Sequence, residues 1–151
     1  MVEETIDYIS ELAKLDFVSR IIVPYEAKSD LKEAIYSIKK SDKQVGVSLN
    51  PQTPVSEAFG FLEQIDLLLL MAGNPGFSGQ PFDEKTIGRI KEVRNFSDVI
   101  AIEVDIGVNF ETAPKIAQAG ANFLVASSAL WEADDFYIAY EKLAKLVLKD
   151  R

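Results

Sequence analysis

Apolar residues along this chain follow two different spacings, which alternate from one segment to the next. Five short runs are rich in β-branched or aliphatic residues, as in buried strands, and the segment after each run repeats apolar residues at helical spacing. The predicted strands lie at 18–25, 44–49, 67–71, 99–104 and 123–126. The predicted helices lie at 2–15, before the first strand, and then at 31–40, 53–62, 83–94, 109–120 and 134–147.

Some of the predicted helix ends carry local markers. Thr53 is a predicted N-cap, because Pro54 after it suits the first helical position. Gly120 is a typical C-terminal stop, since glycine tolerates the left-handed backbone that ends many helices. The other predicted helix starts are Asn109 and either Asp134 or Asp135.

The alternation of strands and helices predicts an α/β fold with a parallel sheet, in a single domain over 1–151. A repeat of about 20 to 30 residues is the spacing of right-handed strand-helix-strand crossovers. Periodicity leaves two architectures open, an open doubly wound sheet and part of a (β/α)₈ barrel. The length of 151 residues counts against a complete barrel, which typically needs about 250.

The segment 71–82, MAGNPGFSGQPF, combines three glycines with two prolines directly after the third predicted strand. Glycine allows unusual backbone angles and close approach, and proline prevents continued pairing, so the chain must turn here. Two interpretations remain open. The loop is either a tight strand-to-helix connection or a backbone cradle whose N–H groups converge on an anion.

Composition excludes several classes of function. Hydrophobic residues make up 48% of the chain and charged residues 26%, so a folded domain is expected. The formal net charge of -8 argues against nucleic acid or an anionic membrane as the main partner, and no run is long enough to span a bilayer. Without cysteine or histidine, any catalysis must use carboxylates, lysines, tyrosines or hydroxyls. We expect a cytoplasmic location.

Two acids lie at the end of the fourth predicted strand, where parallel α/β folds bind their ligands. Asp105 directly follows the strand and is placed either for general acid–base work or to cap the next turn. Glu103 lies within the strand, and alternation turns its side chain away from the face that Val104 occupies.

Further candidates follow the fourth and fifth predicted strands. Gly107 and the pair Ser127 and Ser128 offer backbone and hydroxyl donors for a phosphate, although the same residues are common in ordinary turns. Trp131 suits either closure over a ligand or simple packing at a helix start.

Four segments at these positions resemble the ribulose-phosphate 3-epimerase family. In chain order they are VGVSLNPQTP (45–54), DLLLLMAGNPGFSGQPF (66–82), IEVDIGVN (102–109) and FLVASSALWEADD (123–135). The resemblance covers most of the chain, and the NPGFSGQ loop followed by EVDIGVN is its most specific part. It implies a partial, half-barrel-like TIM barrel, made of the last five parallel strands and entered through a leading helix.

The resemblance also implies roles for individual residues. In the family, a divalent metal and two aspartates move the proton at C3 of a pentulose 5-phosphate. Asp105 matches one of those aspartates, which is also a metal ligand. The matching phosphate-binding positions are Gly76, Phe77, Ser78, Gly79, Gly107, Ser127 and Ser128.

The sequence departs from the family pattern at both parts of the site. The family's second aspartate and its two metal-binding histidines lie on strands that this chain lacks, so the metal site is expected to be incomplete, with Asp105 as its remaining ligand. On the phosphate side, Ile106 and Ser127 each stand where the family usually has glycine, which places a Cβ near the expected anion.

Three functions remain open on the sequence. They are a phosphate or phosphosugar binder without full epimerase activity, an active pentulose-phosphate 3-epimerase completed by dimerisation or by a partner chain, and a structural half-barrel without a ligand. Open sheet edges and an uncovered concave face predict a homo-oligomer, most simply a homodimer. Edge-to-edge pairing would bring two copies of Asp105 toward one centre.

Overall fold

A computed structural model describes residues 5–148 of the chain. Its sheet has five strands, and every neighbouring pair is parallel in the order β1-β2-β3-β4-β5. The strands are β1 (Arg20–Pro24), β2 (Gln44–Leu49), β3 (Leu67–Met71), β4 (Ala101–Asp105) and β5 (Phe123–Val125). The predicted α/β fold with a parallel sheet is therefore confirmed.

Within the described residues, six α-helices accompany the sheet. They are α1 (Ile6–Leu12), α2 (Leu31–Lys40), α3 (Lys85–Phe96), α4 (Thr112–Ala119), α5 (Ser128–Trp131) and α6 (Phe136–Leu148). The predicted stop at Gly120 is confirmed, since this residue has φ 115° directly after α4. Asn109 caps the turn before α4 by accepting from the backbone N–H groups of Glu111 and Thr112. No helix within residues 5–148 is long and apolar enough to cross a membrane.

The prediction of a helix that begins at Thr53 and Pro54 is wrong. Two short 3₁₀ turns, Val55–Ala58 and Leu62–Gln64, replace it. The Thr53 hydroxyl bonds the Glu26 carboxylate on the neighbouring loop instead of capping a helix. The first positions of the predicted leading helix lie outside the described residues, and α5 was not predicted at all.

One face of the sheet is fully covered by the helices. The side chains that point to this face are buried in a continuous apolar core, including Val45, Val47, Leu49, Leu68, Leu70, Ile102 and Val104. Alternation along the strands turns the remaining side chains to the opposite face. There Ile22, Phe123 and Val125 keep 36%, 46% and 39% of their surface exposed. This second, concave face is therefore the less covered side of the fold.

The sheet is strongly curved, as in a barrel wall. The Arg20 guanidinium on β1 lies 5.6 Å from the ring centroid of Phe123 on β5, although these two strands are at opposite edges of the sheet. Gln44 holds this guanidinium in place, since its Oε1 accepts from Nε and Nη2 of Arg20 at 3.0 and 2.7 Å. The two edges of the sheet thus approach each other at the amino-terminal ends of the strands.

Candidate functional site

A cavity of about 320 Å³ lies at the carboxyl ends of β3, β4 and β5. Its lining includes Asp105 and the residues that the resemblance assigned to phosphate binding, which are Gly76, Phe77, Ser78, Gly79, Gly107, Ser127 and Ser128. Met71, Ile106, Val108 and Val125 complete the wall. The structure therefore brings Asp105 and these predicted phosphate-binding residues together, while phosphate binding stays a prediction.

Asp105 is fixed at the last position of β4. Its backbone carbonyl accepts from the N–H of Ala72 at 2.8 Å, which joins β4 to the start of the glycine loop. Its Oδ1 accepts from the N–H of Ile106 at 2.7 Å, so the carboxylate caps the following turn as one interpretation expected. The carboxylate also lines the cavity, and the two interpretations of Asp105 are therefore compatible.

Two consecutive residues after Asp105 have left-handed backbone angles. Ile106 has φ 78° and Gly107 has φ 71°, and for a β-branched residue such an angle is a strained outlier. The side chain of Ile106 packs against Gly73, because a Cβ on that glycine would lie 2.6 Å from Ile106 Cγ2. The side chain of Ile106, which stands where the family usually has glycine, is thus accommodated against Gly73 of the glycine loop.

The serine pair forms the third wall of the cavity and opens α5. The carbonyl of Ser127 accepts from the N–H groups of Leu130 and Trp131 at 2.9 and 3.0 Å. Trp131 is exposed and packs on Phe136, with ring centroids 4.8 Å apart, and it does not line the cavity. Of its two predicted roles, packing is therefore the one that the structure has.

A second cavity of about 280 Å³ adjoins the first and shares Met71 and Asp105 with it. It is mostly apolar and extends along the concave face toward α1 and β1. Glu103 lies on the same face as Asp105, as alternation predicted, while Val104 is fully buried on the other side. Burial raises the pKa of Glu103, as does the charge of Asp105 more weakly, while the Arg20 guanidinium opposes this.

The model of the ribulose-phosphate 3-epimerase family matches residues 1–131 of the chain. The chain belongs to this family. Ribulose-phosphate 3-epimerase of Bacillus subtilis is 44% identical over 142 residues, which cover 89% of this chain and 64% of that protein. Its counterpart in Escherichia coli K12 is 36% identical over 115 residues, which cover 74% and 51%. The chain therefore spans between half and two thirds of the length of these relatives.

Solved structures of TIM-barrel enzymes share the fold at low sequence identity. The 3-hexulose-6-phosphate synthase of Salmonella typhimurium gives a TM-score of 0.62 at 20% identity, covering 88% of this chain and 63% of that one. Another 3-hexulose-6-phosphate synthase gives 0.66 at 20% identity, covering 85% and 62%. The likeness supports the relation between the curved five-stranded sheet and a barrel wall.

The residues present do not fit the divalent metal that the epimerase family implies. The chain has no histidine, and residues 5–148 contain no group of three acidic, histidine or cysteine side chains that could hold a metal ion. A site that binds a divalent transition metal tightly needs several such ligands. Asp105 alone is not such a set.

Two residues around the site were missed by sequence reasoning. The partly buried Arg89 guanidinium on α3 donates from Nη1 to the carbonyl of Met71 at 3.0 Å and from Nη2 to that of Asn50 at 2.8 Å. Gln80 crosses the glycine loop and bonds two of its carbonyls. A basic residue on an amphipathic helix and a glutamine in a loop carry no recognisable pattern, since their partners are distant carbonyls.

Proposed function

We propose that this chain binds the phosphate group of a pentulose 5-phosphate in the cavity at the carboxyl ends of β3 to β5. The observation that carries the proposal is the convergence of three backbone segments, 76–79, 105–108 and 127–128, on one cavity of about 320 Å³. Backbone N–H groups and hydroxyls in such segments bind phosphate without a charged side chain. Such a site is compatible with the net charge of -8, because the local dipoles of the N–H groups attract the anion, and a positive net charge is not required.

Asp105 supplies the acid–base group of the proposed site. Asp105 lines both the proposed phosphate cavity and the apolar cavity on the concave face, where the carbon skeleton of the ligand would lie. Epimerisation removes a proton on one face of the sugar and returns it on the other, which takes two positioned acids. The described residues place one such acid in the phosphate cavity. The proposed function is therefore phosphosugar binding without full epimerase activity.

Active ribulose-phosphate 3-epimerase is a second candidate function. It is favoured by relatives of that name with 36% to 44% identity. This function requires a second acid, from a second copy or from another chain, and metal ligands that Asp105 alone does not supply.

Adding inorganic phosphate or ribulose 5-phosphate is expected to shift the backbone amide signals of Gly76, Gly79, Gly107 and Ser128 in NMR spectra, whereas unphosphorylated ribulose leaves them unchanged. Asp105→Asn removes a negative charge beside the anion and is expected to tighten phosphate binding about two- to fivefold. Titration of the amide shifts gives both affinities.

Two results would contradict the proposed function. Amides that stay unshifted at high phosphate would exclude the binding site and favour a structural role. Turnover of ribulose 5-phosphate with added Mn²⁺, Zn²⁺ or Fe²⁺, abolished by Asp105→Asn, would establish the epimerase instead.

Self-association of the chain is the expected outcome of light scattering on the purified protein. Both edge strands have unpaired backbone groups, and the concave face beside them exposes Ile22, Phe123 and Val125. We expect at least a dimer, and Phe123→Lys should shift the mass toward the monomer. A monodisperse monomer across micromolar concentrations would contradict this prediction.

A further inference from the structure

The glycine loop between β3 and α3 is closed at its base. The N–H of Ala72 donates to the carbonyl of Asp105 at 2.8 Å, and the carbonyl of Ala72 accepts from the N–H of Asp83 at 2.9 Å. The chain therefore leaves and returns at one point, as in an Ω-loop. Within the described structure, the backbone inside 73–82 forms a turn at 75–76 but no helix or strand. Side-chain contacts must therefore contribute to holding this segment along the cavity wall.

The side chain of Gln80 makes contacts that hold the loop together. Its Nε2 donates to the carbonyl of Asn74 at 2.6 Å and to the carbonyl of Phe77 at 2.7 Å, which occupies both amide hydrogens. Its Oε1 lies against Gly73, 3.6 Å from the place of a Cβ on that glycine. The amide thus bridges the two arms of the loop from behind, and Gln80 does not itself line the cavity.

A second side-chain amide connects the glycine loop to the loop after the neighbouring strand β2. Nε2 of Gln52, in the loop after β2, donates to Oδ1 of Asn74 at 3.2 Å. Asn74 is therefore held from two sides, by Gln80 at its carbonyl and by Gln52 at its side chain. These bonds fix the loop relative to the sheet.

We infer that Gln80 is a positioning residue, which holds residues 76–79 in the conformation that faces the phosphate cavity. The inference rests on the proposed function for its consequence in binding, but its structural part is independent of any ligand. A preorganised loop binds an anion more tightly, because the cost of ordering it has already been met in the free protein.

Two substitutions of Gln80 distinguish a positioning role of its hydrogen bonds from an effect of charge on phosphate binding. Gln80→Met removes both donors and keeps the side chain neutral and of similar length, while Gln80→Glu removes the donors and adds a negative charge. We expect the ¹⁵N order parameters of residues 76–79 to fall in both variants, from about 0.85 toward 0.6 or lower. The Kd for inorganic phosphate should rise about tenfold in Gln80→Met, as expected for the loss of two loop hydrogen bonds.

The matched control is Gln118→Glu, on the exposed face of α4, which adds the same charge outside the loop. Its order parameters and phosphate Kd should equal those of the original chain. Order parameters that do not fall in Gln80→Met would overturn the inference. Weaker phosphate binding in Gln80→Glu alone would also overturn it, since that result assigns the effect to charge. If the original chain does not bind phosphate, the proposed function fails, while the order parameters still decide the role of Gln80.

Discussion

Replacing Gly107 by alanine is expected to destabilise the fold by about 3 kcal/mol or more. Gly107 has φ 71°, and a Cβ at this position would lie 2.5 Å from Cα and 2.6 Å from N of Phe82. The left-handed angle alone costs about 1 to 2 kcal/mol for a residue with a Cβ. The contact adds more, because both colliding atoms belong to the backbone and cannot rotate away. Urea denaturation of the variant measures the loss.

Two other glycines serve as matched controls for this prediction. Gly79 has φ 75° with open space around it, so Gly79→Ala should cost only about 1 to 2 kcal/mol. Gly88 lies on the exposed side of α3 with nothing within 4 Å of its missing Cβ, so Gly88→Ala should stabilise the fold by about 0.5 to 1 kcal/mol. A cost for Gly107→Ala no larger than that for Gly79→Ala would show that the contact with Phe82 is not important.

The strands were the most predictable part of this fold. The segments 44–49 and 67–71 form strands with the same bounds that their sequences predicted. The segment 67–71 is a continuous apolar run, as expected for a strand of a covered parallel sheet, and 44–49 leads into the turn-forming pair Asn50 and Pro51. Their order follows from the regular alternation with helices. The curvature that brings Arg20 to Phe123 was not predictable, because it depends on how all five strands pack together.

The segment after β2 shows why local helix markers failed. Thr53 and Pro54 have the residue types of a helix start, but the Thr53 hydroxyl bonds Glu26 on another loop. The Thr53 carbonyl also accepts from Arg89 at 3.2 Å. Long-range contacts therefore outweigh the local preference, which is worth about 1 kcal/mol.

The position of the candidate site was predictable, whereas its internal support was not. The rule that ligands bind at the carboxyl ends of parallel strands placed Asp105, Gly107 and Ser127 together before any geometry was known. The left-handed angle of Ile106 was unexpected, because sequence preference argues against it. Gly73 leaves space for the Ile106 side chain, although the angle itself stays strained.

Replacing Arg89 by methionine is expected to cost about 3 kcal/mol and to weaken phosphate binding about tenfold. The guanidinium bonds the carbonyls of Asn50, Thr53 and Met71, at the ends of two neighbouring strands. Burial lowers its pKa, while the nearby carboxylates, Asp83 foremost, oppose the shift. Methionine leaves the three carbonyls without this donor and frees the base of the glycine loop. Urea denaturation and NMR titration with phosphate measure the two losses.

Arg94 on the same helix provides the control, because it makes an equivalent set of bonds at the other end of the sheet. Its guanidinium donates to the carbonyls of Gly120 at 2.8 Å and Ile100 at 2.7 Å, and to Oδ1 of Asn122 at 2.5 Å. Arg94 is less buried, so Arg94→Met should cost about 2 kcal/mol and leave the phosphate Kd unchanged. Equal weakening of phosphate binding in both variants would mean that Arg89 acts only through global stability. Weakening in Arg89→Met alone would assign it to the support of the site.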